Sequence, residues 1–297
     1  MKTAIVGLFF HNETALYCRT VLWCAHARRL SEEVVQSDVV LIGDVPRTCP
    51  FPHVSVPPDA RLARLAHRFA AAHPTNARMS TSARIQRVVL MKLQLLALTH
   101  YDRVLHFDTD VDPYFRARWT RADAAAAARA LRAMRPGELH AHADHESPIN
   151  TGILALTPDA ELYERALEVL QRNRFNVTHG FDFAGPPSRT FDAEALRTVA
   201  RSRCVQDDTW EFVMSDADQG MWTYLTYVRQ YFRVVRPRFL PSSHFWGGNK
   251  PFSHKGCAAY AEHVRRVLGH DHPCVAQLPA ETTRNCWWKH DAPLVGR

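Results

Sequence analysis

No stretch of this 297-residue chain stays apolar for the roughly 20 residues that a membrane-crossing helix needs. Its opening apolar run, residues 3–10, is cut short by His11, Asn12 and Glu13, and no small-residue cleavage site follows it. The run reads as a buried strand, and a cytoplasmic chain is the expectation, with an anchor outside the given sequence left open. CxxC pairs are absent. Seven cysteines, an odd number spread thinly, exclude a small fold framed by disulfides. A chain of this length buries a core without cross-links or a structural metal. Lysine is scarce: Lys2, Lys92, Lys250, Lys255 and Lys289 are five of 37 basic residues, so arginine carries the net charge of +7. That balance tolerates anionic partners. A nucleic-acid partner is not expected, because Trp246, Trp287 and Trp288 do not alternate with a dense basic tract. No repeat or low-complexity linker divides the chain, which argues for one domain over residues 1–270 and an irregular tail over 271–297.

What is present alternates between strand and helix patterns. Short apolar runs at 3–10, 39–42 and 53–56 read as strands, with a helix at 15–30 between the first two. Helices are expected at 60–72 and 82–98, then a strand at 103–108. An alanine-rich helix at 121–135, a strand at 151–156 and a helix to about 170 follow, the last opened by Thr157 as cap and Pro158 as first helical residue. Residues 171–209, with Gly180, Gly185, Pro186 and Pro187, read as an insertion or flexible region holding a short helix at 193–200. Helices at 216–227 and 257–268 and a strand at 233–236 complete the pattern. Strands joined by helical crossovers imply an α/β fold with a mostly parallel central sheet flanked by helices.

The sharpest local feature is Val104-Leu105-His106-Phe107-Asp108-Thr109-Asp110. Two carboxylates at i and i+2, where a buried strand opens into a loop, face the same way and offer hard oxygen donors to Mn²⁺ or Mg²⁺. Strand ends of this kind are where ligands bind in open α/β sheets. A second polar stretch is His244-Phe245-Trp246-Gly247-Gly248-Asn249-Lys250-Pro251. It holds an imidazole able to ligate a metal, glycines that let backbone approach a ligand, and a point charge suited to phosphate. Asn150-Thr151-Gly152 and Ser215-Asp216-Ala217-Asp218-Gln219 are polar where a core would be apolar. Ser215 fits as an N-cap with Asp218 at the third helical position, which leaves Gln219 unexplained.

Taken in order, these blocks resemble the glycogenin-like retaining glycosyltransferases, glycosyltransferase family 8. The matching pieces are Met91-Lys92-Leu93, the stretch from Tyr101 to Asp110, Ile149-Asn150-Thr151-Gly152, Asp218-Gln219 and the block from His244 to Pro251. The resemblance implies a GT-A nucleotide-sugar domain. It also implies a metal site of Asp108, Asp110 and His244, and donor contacts from Lys92, Thr109, Asn150, Gly247 and Lys250. Leu8, Asn12 and Tyr17 are the implied candidates around the base. Asp218 and Gln219, with Lys250, are the implied catalytic group beside the sugar. The cofactor would be Mn²⁺, or Mg²⁺ in its place. The partners would be a UDP-sugar donor and a hydroxyl acceptor: a glycan, lipid headgroup, polyol or protein. Thr151 stands where the family has serine, Phe252 where it has tryptophan, and residues 171–209 are longer than the family's link.

The chemistry so implied is sugar transfer with retained configuration. A glutamine amide is a poor nucleophile, so Gln219 does not suit a double displacement, while Asp218 suits either attack or orientation of the acceptor. Three other readings remain open, two of them on the same residues. One is a metal-dependent nucleotide-sugar or phosphoester hydrolase, and another is an inactive carbohydrate-binding module on the same fold. The third is a zinc site at His140, His142, His145 and a cysteine.

Overall fold

The computed structural model describes residues 1–10, 14–43, 49–73, 83–109, 121–143, 147–200, 203–236, 262 and 265–276; side chains 14–19, 34, 121–124 and 203 lie outside the description. The strands are β1 (Thr3–Phe9), β2 (Asp38–Gly43), β3 (Val54–Val56), β4 (Arg103–Phe107), β5 (Glu138–His140), β6 (Ile153–Leu156) and β7 (Arg233–Val235). They form one seven-stranded sheet in the order β3-β2-β1-β4-β6-β5-β7. Pairing is parallel from β3 through β4 and between β5 and β7, whereas β6 runs antiparallel to both β4 and β5. The chain is therefore α/β with a mixed, mostly parallel sheet, as its alternating pattern implied.

The central strands read as continuous apolar runs because both faces of the sheet are covered. Successive side chains alternate between two cores. Ala4, Val6, Val40, Ile42, Val104 and Leu154 pack on one face with Leu62, Phe69, Leu90, Leu162 and Met221. Ile5, Phe9, Val39, Leu41, Leu105 and Ile153 pack on the other with Trp23, Ala27, Leu30 and Leu131. The first face is covered by α2 (Ala60–Ala72), α3 (Ala83–Leu90) and α5 (Ala160–Arg172), the second by α1 (Thr14–Leu30) and α4 (Arg121–Ala133). The helix expected over 82–98 changes pitch at its middle. After α3 it tightens into a 3₁₀ helix, Met91–Ala97, whose residues from Met91 to Leu96 are all buried.

Several local expectations are corrected. The fifth helix is capped not by Thr157 but by Asp159, whose carboxylate accepts from the Leu162 amide at 2.9 Å. Ser215 caps nothing. After α6 (Ala193–Val199) and α7 (Arg203–Gln206), the short helix α8 (Asp218–Thr223) starts behind Ala217, with no side-chain cap, and continues into a π-helical turn, Tyr224–Val228. Strand β5 has no counterpart in the sequence reading, because Glu138 and His140 are polar yet buried. The described part of residues 171–209 is packed, not loose: Phe175, Phe181 and Phe191 belong to the first core, together with the adjoining Trp210. Phe69 and Phe181 stack with ring centroids 5.4 Å apart, and Phe175 and Trp210 meet edge-on. A helical turn, Pro273–Ala276, lies in the stretch read as an irregular tail, and most of the helix expected over 257–268 lies outside the described residues. Cross-links are present despite the sparse cysteines: Cys24 and Cys49 are bridged, with Cα atoms 5.8 Å apart, and Cys274 is also disulfide-bonded. Among the described residues no helix is long and apolar enough to cross a membrane.

Candidate functional site

Four stretches of chain meet at the carboxyl end of β4. Val6 of β1 lies opposite His106 of β4, and the two strands run parallel, so both leave the sheet at the same edge. Strand β6 runs the other way. Ile153 pairs with Phe107, which brings Asn150, Thr151 and Gly152 to that edge before the strand begins. The Asp108 amide donates to the Gly152 carbonyl at 2.8 Å and extends the pairing one step past β4. The Asn150 carboxamide folds back to accept from the Gly152 amide at 2.9 Å. From the covering layer, the 3₁₀ helix supplies Lys92 and the start of α8 supplies Asp218.

Lys92 is the hub. Its ammonium lies 2.9 Å from Asp108 Oδ1, 2.9 Å from Asp218 Oδ2 and 3.2 Å from Thr151 Oγ1. Thr151 donates its hydroxyl to the same Asp218 oxygen. Lys92 is 6% exposed and Asp218 fully buried. Burial pushes an ammonium pKa down, but the two carboxylates outweigh it and hold Lys92 above its ordinary value. The side chain is therefore a fixed positive charge. The second oxygen of Asp218, Oδ1, is buried and has no hydrogen-bond partner among the described residues, and Gln219 Oε1 is in the same condition. A buried carboxylate oxygen left unpaired is costly to keep, and native folds seldom tolerate one without a ligand or water to satisfy it.

Two further residues complete the cluster. His106, on the same sheet face as Asp108, presents Nδ1 to the Val6 carbonyl at 3.0 Å and Nε2 to Asp108 Oδ1 at 3.2 Å. Complete burial lowers its pKa against the pull of Asp108, and the Lys92 charge adds to the lowering, so the ring is neutral near pH 7. Beneath Asp218, Gly220 lies against the Ser215 backbone. A Cβ there would fall 1.7 Å from the Ser215 carbonyl oxygen, so only glycine lets α8 start where it does. Gln86 of α3 holds the same loop by donating to the Asp216 carbonyl.

Of the residues expected from the sequence, Lys92, Asp108 and Asp218 are thus in direct contact, with Asn150 ordering the strand entry beside them. Gln219 lies next to Asp218, and its amide contacts the Met214 sulfur at 3.5 Å. Thr109 follows Asp108 and is half-buried. Leu8 packs against the first core from β1, in register with Ile42. Tyr17 lies in α1 with its side chain outside the description, and Asn12, Asp110, His244, Gly247 and Lys250 lie outside the described residues altogether. Asp108 is therefore the one expected metal ligand that is described, and its donor type fits Mn²⁺ or Mg²⁺. Among the described residues no group of three or more His, Cys, Asp or Glu side chains is placed to hold a metal ion. His140 and His142 face different carboxylates, Glu138 and Glu194, each at 3.2 Å. His106 was not singled out from the sequence, although it is the one polar side chain in an otherwise apolar strand, Val104 to Phe107.

No known family profile and no curated protein matches the chain. Among solved structures, mouse xyloside xylosyltransferase 1 in its apo form is similar over 79% of this chain and 85% of its own, at 11% identity and a TM-score of 0.36. A glycosyltransferase involved in glycosylation of the major capsid of PBCV-1 is similar over 57% of this chain and 66% of its own, at 13% identity and a TM-score of 0.30. Neither likeness carries an argument about what this chain does.

Proposed function

We propose that the chain is a retaining GT-A glycosyltransferase. It moves a hexosyl or related sugar from a UDP-sugar to a hydroxyl acceptor, with Mn²⁺ as cofactor. The reading rests on the ordered sequence blocks that resemble glycosyltransferase family 8. One structural observation carries it. Three of those blocks, far apart in the chain, converge on the Lys92 ammonium, with Asp108 and Asp218 each 2.9 Å away. Buried charges gathered at a strand end are more characteristic of a reaction site than of a structural core.

Asp108, with Asp110 and His244 by resemblance, would hold the metal, which supplies positive charge against the donor's diphosphate. Lys92 adds a second positive charge that does not depend on the metal and lies between the two carboxylates. Asp218 is held through Oδ2 by Lys92 and Thr151, so its orientation is set before any substrate binds. Oδ1 is the oxygen left for the sugar or the acceptor. It faces the anomeric centre as positive charge grows there, or takes the hydrogen bond of the incoming hydroxyl. A carboxylate held in this way is not reorganised during reaction, and preorganisation of this kind is usually the largest catalytic term. Gln219 is an amide and contributes hydrogen bonding, not attack. His106, neutral and anchored on β1, fixes the direction of Asp108.

The test is a screen of nucleotide sugars with Mn²⁺, with and without sugar acceptors, on the wild type and on Asp110→Ala. Loss of one metal carboxylate is expected to raise the barrier by at least ~2.7 kcal/mol, roughly a hundredfold in turnover, with stability little changed. Equal turnover by the variant would remove the metal mechanism. Turnover to free sugar alone, with no transfer product for any acceptor, would support a hydrolase.

A further inference from the structure

We propose that Asn176 is an N-glycosylation site and that this chain matures in an oxidising, glycosylating compartment. Two observations that do not depend on each other lead there. The first is the sequon Asn176-Val177-Thr178, which lies on a surface turn. Phe175 is buried in the first core and Val177 packs against it, so the side chain between them is directed outward. The turn is ordered. Asn176 Oδ1 accepts from the amides of Thr178 at 3.0 Å and His179 at 2.7 Å, and the Asn176 carbonyl accepts from Gly180 at 2.7 Å. Its Nδ2 group, the atom that would carry the glycan, makes no hydrogen bond among the described residues. Thr178 and His179 are exposed, and Asn176 is half-buried. The inner side of the turn is closed instead by protein. The Trp210 amide donates to the Val177 carbonyl at 2.7 Å, and Gly180, at a φ of +70°, lies flat against the Trp210 indole. A glycan on Nδ2 would therefore extend into solvent without disturbing the core.

The second observation is the pairing of the cysteines. Cys24 of α1 and Cys49 are both buried and bridged, with a Cα separation of 5.8 Å, and Cys274 is bonded as well. Bonds of this kind persist in secretory and extracellular settings and are rare in a reducing cytosol. The cytoplasmic setting expected from the sequence is therefore replaced by one in which a sequon is used.

In the modification, Nδ2 of Asn176 forms a bond to the anomeric carbon of an oligosaccharide carried on a lipid diphosphate. The bond between that carbon and the diphosphate oxygen breaks, the lipid diphosphate leaves with the electron pair, and the amide loses one proton to a base of the host's transferase.

The test is expression of the full chain behind a secretion leader in eukaryotic cells, followed by glycan removal with an amidase and non-reducing peptide mapping. A drop in apparent mass is expected on glycan removal, with an aspartate left at position 176. The drop attributable to this site should vanish in Asn176→Gln and Thr178→Ala and persist in Thr178→Ser, which keeps the sequon. Mapping should recover the peptides of Cys24 and Cys49 joined. An unmodified Asn176 in secreted, folded wild-type protein would overturn the site, even if Asn12, in the other sequon Asn12-Glu13-Thr14, carries a glycan. Recovery of Cys24 and Cys49 as free thiols from that material would overturn the compartment. Thr178→Ser separates the two causes of a negative result, since a fold defect in the other variants would leave it glycosylated.

Discussion

Replacing Lys92 with methionine keeps the unbranched stem and removes only the ammonium, so the variant isolates the charge. In the wild type that ammonium lies 2.9 Å from each of two carboxylates, one of them fully buried. Taking away one partner of a buried ion pair costs about 3–5 kcal/mol, because the remaining charge is left without compensation. With an unfolding entropy of about 0.6 kcal/mol/K for a chain of this length, the loss corresponds to roughly 5–8 °C in Tm. The pH dependence follows from the same charge. Lys92 has its folded pKa raised above the ordinary 10.5, so its contribution is fully present below that value and is lost only as pH rises through the folded value. Wild-type stability therefore owes no slope to this group near neutrality. In Lys92→Met, Asp108 and Asp218 face each other without a cation. Urea unfolding near neutral pH of wild type, Lys92→Met and Lys92→Met with Asp218→Asn measures the loss. The double variant should recover at least half of it, since one of the two stranded carboxylates is gone. A deficit below about 0.5 kcal/mol would refute the reading of Lys92 as the charge that holds the site together.

Two further outcomes concern the frame around the site. Glu138, on β5, accepts from the Arg135 amide and the Arg233 guanidinium and faces His140; burial alone would raise its pKa, but these partners bring it from 4.5 to about 2. Its contribution of about 3 kcal/mol is present above pH 4.5 and lost as pH falls toward about 2, so Glu138→Gln should flatten that part of the acid-denaturation curve and leave the slope at neutral pH unchanged. An unaltered acid limb would exclude the assignment. Gly220→Ala should destabilise by about 1–3 kcal/mol in urea although alanine is the better helix former, because its Cβ would strike the Ser215 backbone and not a movable side chain. A neutral or stabilising Gly220→Ala would show that the loop carrying Asp218 is not held as described.

Much of this protein was determined by local pattern. The strand–helix alternation and the continuous apolar runs of β1, β2 and β4 dictate a sheet buried on both faces, because those runs leave no polar side for water. The end of β4 on Asp108 was legible for the same reason: a carboxylate closes an apolar run where the chain leaves the core. Tertiary structure decided what that carboxylate meets. Lys92 and Asp218 are ordinary charged residues in the sequence, and their pairing depends on a 3₁₀ helix and a glycine-limited loop crossing the same sheet edge. The antiparallel entry of β6 and the polar strand β5 were hidden because Glu138 and His140 satisfy each other only once buried. The packing of residues 171–209 was not legible because Phe175, Phe181 and Phe191 are spaced by turns, without helical or strand periodicity. The bridge between Cys24 and Cys49 joins positions 25 apart that no spacing rule pairs. Periodicity reports which side of an element is buried; which elements share that burial is a property of three dimensions, and the site is made there.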